Sequence, residues 1–129
     1  MSLEADIRTY MLTRTAITDL VSTRIYFQKL PQNATFPLLV SNRISTKREY
    51  SHSGDSNLTT PRVQYSCYAE TWTAAKDLAE QIVSEMSGFS GTAGSTTVYS
   101  TFVENELDLN DPESKLYFIP VDLMITYNG

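Results

Sequence analysis

The apolar positions of the chain change period several times along its length, and each change marks an element. Leu3, Ile7, Tyr10 and Met11, continued by Arg14, recur at three- and four-residue intervals, with Glu4 and Asp6 in the first turn where a helix dipole favours acids. This predicts a helix over 3–14. A second short helical turn follows at 17–21, a short strand at Ile25-Tyr26-Phe27, and a turn at 31–35. From 37 to 50 the pattern alternates, with Leu38, Val40, Ile44 and Tyr50 on one parity and Ser41, Arg43, Ser45, Lys47 and Glu49 on the other. Residues 51–57 are a cluster of turn formers. Alternation resumes at 59–71, with Val63, Tyr65, Cys67 and Ala69 inside and Arg62, Gln64, Ser66, Tyr68 and Glu70 outside, so the two runs predict a β-hairpin.

The clearest element is a helix over 73–87. Ala75, Leu78, Ala79, Ile82, Val83 and Met86 form its apolar stripe, Thr71 or Thr73 can cap its start, and Gly88 stands where a terminating glycine belongs. Residues 88–96 read as a flexible loop. Two more strands, 97–108 and 115–127, flank Asn110-Asp111-Pro112-Glu113, which has type I turn chemistry. In the last strand Tyr117, Ile119, Val121, Leu123, Ile125 and Tyr127 make one apolar face, and Pro120, lacking an N–H, suggests an edge position or a bulge. Leu116, Phe118 and Met124 on its other face would be exposed if helices covered only one side, which hints at a partner. The expected architecture is a single α+β domain over 1–129: an antiparallel four-stranded sheet with a long β-hairpin and helices packed on one face.

The hairpin is long for its body. Thirteen residues at roughly 3.3 Å each reach about 43 Å, whereas a chain of 129 residues has a diameter of about 36 Å. If both arms stay extended the tip projects toward a neighbouring subunit; if they twist or end early it is an ordinary loop. Composition narrows the chemistry. A net charge of −5 argues against a protein built to grip phosphate backbones, and one Cys with one His excludes a disulfide scaffold and a Cys/His zinc cluster. Eight Tyr point to interfaces, and a single His weakens most acid–base enzyme readings, although carboxylates remain available. The apolar runs are too short to span a membrane and the acidic N-terminus lacks a secretory pattern, so a protein of a reducing compartment is expected.

His52 and Cys67 could form a nucleophile–base pair, but they do not fall opposite each other in the hairpin, and a buried structural Cys is the plainer reading. Ser53 to Ser56 lacks an oxyanion element, the glycine loop after residue 87 has no Lys, and Asp108 to Asp111 only faintly follows a calcium-loop spacing. No cofactor or metal site is expected. Trp72 reads as a lid over the core. Glu104, Glu106 and Asp108 share one parity and make an acidic strand face; Arg43, Lys47 and Arg48, with Arg62 on the other arm, make a basic one. Opposite faces on one chain favour head-to-tail contacts that close into rings, against the alternative of two merely solvated surfaces. The candidate interface is therefore Arg43, Lys47, Arg48, Glu49, Tyr50, His52, Asp55 and Arg62 on the hairpin with Glu104, Glu106 and Asp108.

The order of segments resembles the tail-completion (tail-terminator, head–tail joining) family of long-tailed bacteriophages and prophages. The resemblance runs from the N-terminal helix and Ile17–Val21 through Arg24-Ile25-Tyr26 and Leu30–Pro37. It continues with Arg48–Gly54, Pro61–Gln64, Cys67–Thr71 and Ala74–Ala79, and ends with Glu104-Asn105-Glu106, Asp111-Pro112-Glu113 and Asp122–Tyr127. It implies a non-enzymatic virion protein that forms a ring, usually a hexamer, on the head-proximal end of the tail tube. Its implied partners are other copies of itself, the tail-tube protein and a head-completion or connector protein, with DNA only passing through the lumen. Its implied location is the tail–head junction, and the host cytoplasm during assembly. Another neck component, or a small enzyme using the carboxylates of 104–113, are the alternatives.

Overall fold

Helix α3 (Trp72–Met86) begins where the Thr71 hydroxyl accepts the Ala74 N–H at 3.2 Å and buries Ala75, Leu78, Ala79, Ile82 and Met86. It stops at Gly88, whose φ of +77° is one that side chains resist and whose N–H donates to the Thr101 carbonyl. The computed structural model describes residues 3–29, 32–48, 58–107, 109–111 and 115–128. Its other elements are α1 (Leu3–Met11), α2 (Thr15–Val21), β1 (Ile25–Phe27), β2 (Leu38–Arg48), β3 (Leu58–Ala69), β4 (Gly91–Ala93), β5 (Thr96–Glu106), β6 (Leu109–Asp111) and β7 (Leu116–Asn128). The first helix ends earlier than its periodicity suggests. The N–H groups of Thr13 and Arg14 fold back on the Tyr10 and Met11 carbonyls, and Arg14 instead stands at the start of α2, paired with Glu85 at 2.7 Å.

The fold is α+β, but the sheet is larger than the four antiparallel strands expected. Among the described residues it has seven strands in the order β1-β2-β3-β7-β5-β4, with β6 also on β7, and β1 runs parallel to β2. Most of the loop expected over 88–96 is structured: Gly91–Ala93 form β4, which pairs with β5 across a turn at Gly94-Ser95. That turn is held from α1, because the Ser95 hydroxyl donates to the buried Asp6 carboxylate at 3.2 Å and the Thr96 hydroxyl donates to the same oxygen. The strand expected over 97–108 ends at Glu106, and Asn110 and Asp111, expected in a turn, lie in a separate strand β6 paired with β7.

Pro120 lies in a central strand rather than at an edge. It tolerates the position because β5 pairing ends at Val121 and β6 pairing begins at Phe118, so the missing N–H falls at the handover, where Pro120 only accepts from the Leu107 N–H. Along its described residues the hairpin stays within the sheet. β3 is flanked by β7 from Ala69 back to Leu58, which pairs with Asn128, and the tip at 49–57 lies outside the described residues.

The three helices among the described residues all pack on one sheet face. Leu3, Ile7 and Met11, then Ile17 and Val21, then the α3 stripe meet Leu39, Val63, Tyr65, Cys67, Ile119, Val121, Leu123 and Ile125. The opposite face is not bare, as Leu116, Phe118 and Met124 had suggested. Leu116 is buried, the other two are half-buried, and Phe118 stacks on Tyr68 with ring centroids 5.2 Å apart. Four of the seven described Tyr are internal: Tyr65 is buried, Tyr10 stacks on Phe89, and Tyr117 and Tyr127 pack against the core.

Candidate assembly interface

A sheet edge presents unpaired N–H and C=O groups, so open edges are where this fold offers bonding capacity to another chain. β1 covers β2 only as far as Ser41, which leaves Asn42–Arg48 open on the side away from β3 among the described residues. β4 covers β5 over Thr96–Val98 and the Gly88 N–H takes the Thr101 carbonyl beyond it, which leaves Phe102–Glu106 open at the far side of the sheet among the described residues. Arg43, Lys47 and Arg48 fall on the first edge and Glu104 and Glu106 on the second. The structure thus puts the two charge groups on opposite edges of one sheet. Glu49, Tyr50, His52, Asp55 and Asp108 lie outside the described residues.

Three bulges rearrange the faces. Register slips between Arg43 and Ser45 in β2, and between Val98 and Ser100 and between Val103 and Asn105 in β5. Each extra residue reverses the parity that follows. Glu104 and Glu106 therefore do not share a face: Glu104 is exposed in its bulge, whereas Glu106 sits opposite Val121 on the helix side, 3.8 Å from Lys76 Nζ. Arg43 and Arg62 likewise separate. Arg43, opposite Val63, turns to the helix side and bonds Glu4 at 2.6 Å. There burial, which disfavours its charge, is outweighed by Glu4 and Tyr127, and its guanidinium is held above its ordinary value. Arg62 lies on the other face and grips one oxygen of Asp122 with two nitrogens at 2.6 and 3.1 Å.

Below the open part of β2 is a groove of about 470 Å³ lined by Glu4, Phe27, Gln28, Ser41 and Arg43. Neither Glu104 nor Glu106 lines it. No group of His, Cys, Asp and Glu among the described residues could hold a metal, and no described helix is long and apolar enough to cross a membrane. Trp72 is not a core lid: it is 46% exposed at the start of α3. Exposed Phe27, Ile44, Tyr99, Phe102 and Leu107 also went unread in the sequence, since the alternation that places each on a strand does not reveal a bulge or a strand end.

Cys67 is buried opposite Leu39, and burial together with the Glu106 charge pushes its thiol up. A native chain should leave Cys67 unreactive toward an aromatic disulfide reagent at pH 8 and titrate one thiol after denaturation. Fast native reaction would show that the sheet opens there.

The family model described as "Tail completion protein gp17" matches residues 5–128. The chain belongs to that tail completion family. Membership makes it a structural protein of a phage-type virion tail. No curated protein matches. Among solved structures, a chain of one described as "Virion of native gene transfer agent (GTA) particle" is similar with a TM-score of 0.83 at 12% identity, covering 99% of this chain and 96% of that one. The likeness at that identity concerns the fold. For a structural tail protein the open edges are the natural candidates for assembly contacts.

Proposed function

We propose that this chain closes the head-proximal end of a phage-type tail tube as a ring of identical subunits, most simply a hexamer, and joins the tail to the head. The observation that carries the reading is the family match over nearly the whole chain. Two oppositely charged open edges on one sheet support a head-to-tail contact between copies, the kind that closes into a ring. The partners are the chain itself, the tail-tube protein and a head-completion protein. DNA passes through the lumen, and a net charge of −5 suits a passage that does not hold it. The role is structural, without catalysis.

The test is electron microscopy of particles from a producing strain with and without this gene. Without it, tubes of unregulated length and heads without tails are expected, and the supplied protein should cap one tube end. Normal tails joined to heads in its absence would overturn the proposal. Heads that bind the chain while tubes do not would move it to the neck instead.

A further inference from the structure

The geometry points to a specific contact between copies: β5 of one copy adds antiparallel to the open edge of β2 in the next, with Leu107 seated in the groove beside Phe27. This deepens the ring reading and rests on it.

Strand direction comes first. β2, β3, β7 and β5 alternate in direction, so a copy placed beside β2 in the same orientation brings its β5 up antiparallel. The free lengths then match. Across the sheet, Asn42, Gln64, Asp122 and Asn105 form one row, and Ser45, Arg62, Met124 and Phe102 another. Among the described residues β1 blocks β2 at the end of the sheet holding Ile119 to Val121, and β4 with the Gly88 N–H blocks β5 at the end running from Tyr127 to Ile125. Both edges are therefore open over the same rows, Asp122 to Met124, with the obstructions at diagonally opposite ends. A neighbour's β5 fits the lane until its Glu106 and Leu107 reach the end of β1. The groove formed by Phe27, Gln28, Ser41, Arg43 and Glu4 lies there. Leu107 is 47% exposed and Phe27 44%, and the contact would cover both.

Charge makes the contact selective. Bulges and charged residues on an edge discourage indiscriminate pairing, and both edges carry them. Two β2 edges bring Arg43, Lys47 and Arg48 together, and two β5 edges bring Glu104 and Glu106 together. Only the unlike pairing sets basic against acidic.

The test mixes full-length copies carrying Asn42→Cys with copies carrying Asn105→Cys, with Ile44→Cys replacing Asn42→Cys to allow for a shift of register. Protein is at about 1 mM in low salt, where surface charge acts most strongly. Mild oxidation should give a mixed disulfide dimer at about tenfold the yield of either copy alone. Leu107→Asp on the β5 partner should lower that yield about tenfold without changing thermal stability, since the exposed side chain leaves the main-chain bond to Pro120 in place. Native mass spectrometry accompanies each sample. Oligomers with no excess of the mixed disulfide in either register overturn the edge pairing and leave the ring standing; a chain monomeric throughout overturns both.

Discussion

Gly94→Ala is expected to destabilise the fold by about 3 kcal/mol, measured by urea denaturation. Two costs combine. Gly94 has φ +56°, a left-handed conformation that costs an alanine roughly 1 kcal/mol. An added Cβ would also land on the Asp6 carboxylate, 2.9 Å from its Cγ, forcing the side chain off the Ser95 and Thr96 hydroxyls. That overlap accounts for about 2 kcal/mol. Asp6→Ala alone should cost about 2 kcal/mol, because a buried charged acceptor is lost and two hydroxyls lose a partner. In the Asp6→Ala background the carboxylate is gone and only the residue-6 Cβ remains, 3.1 Å away, which a few tenths of an ångström of movement relieves, so Gly94→Ala should then cost little beyond the conformational part. A coupling of about 2 kcal/mol between the two substitutions follows, and strict additivity would show that the latch is not what Gly94 serves.

The same latch sets an acid limit. The Thr96 hydroxyl bond, opposed by burial and aided by Ser95, holds the Asp6 carboxyl below its ordinary 3.8. A carboxylate lowered on folding contributes stability that is present above the unfolded value and lost as pH falls through the folded one. The stability gap between the native chain and Asp6→Asn should therefore be constant above about pH 5 and shrink below 3.8.

Elements whose determinants lie close together in the chain were readable, and those set by distant partners were not. Helix α3 carries its cap, stripe and terminator within eighteen residues, Thr71 to Gly88, and forms within a residue of its predicted limits. The Ile119 to Ile125 face was readable because strict alternation persists through it. β4 was not: Gly91-Thr92-Ala93 has no strand character of its own, and its turn is fixed by Asp6, 89 residues from Ser95. The run Leu38-Leu39-Val40 is apolar on both parities, so it did not reveal that Leu39 faces the helices while its neighbours face away. The bulges at Ile44 and Glu104 hid for a related reason. An inserted residue leaves the composition of a strand unchanged and only reverses its faces, which separated Arg43 from Arg62 and Glu104 from Glu106. The two charge groups themselves were legible as groups, but their placement on opposite edges depended on strand order, which alternation does not encode.

Lys47→Glu combined with Arg48→Glu should abolish ring assembly while leaving the fold close to native. Both positions lie at the last rungs of β2, paired with Thr60 and Thr59 and open on the other side, so the backbone ladder to β3 does not depend on them. Lys47 and Arg48 fall on the rows of Ser100 and Val98, a few residues along from Glu104, so they act across the edge rather than as direct ion pairs; the two reversals change the edge charge by four units and at low salt weaken one contact by about 1–2 kcal/mol, close to tenfold. That is modest for a single interface. In a closed ring of six copies the same loss enters at every contact, and the overall association constant falls by about a millionfold. Ring formation should therefore disappear in light scattering at concentrations where the native chain assembles, with little change in melting temperature. Adding Glu104→Lys to the same chain should restore part of it, because every contact then pairs unlike edges again with the signs exchanged. Equal assembly by the reversed chain would mean that main-chain pairing and the Leu107 contact suffice, and that charge selects the partner without holding it.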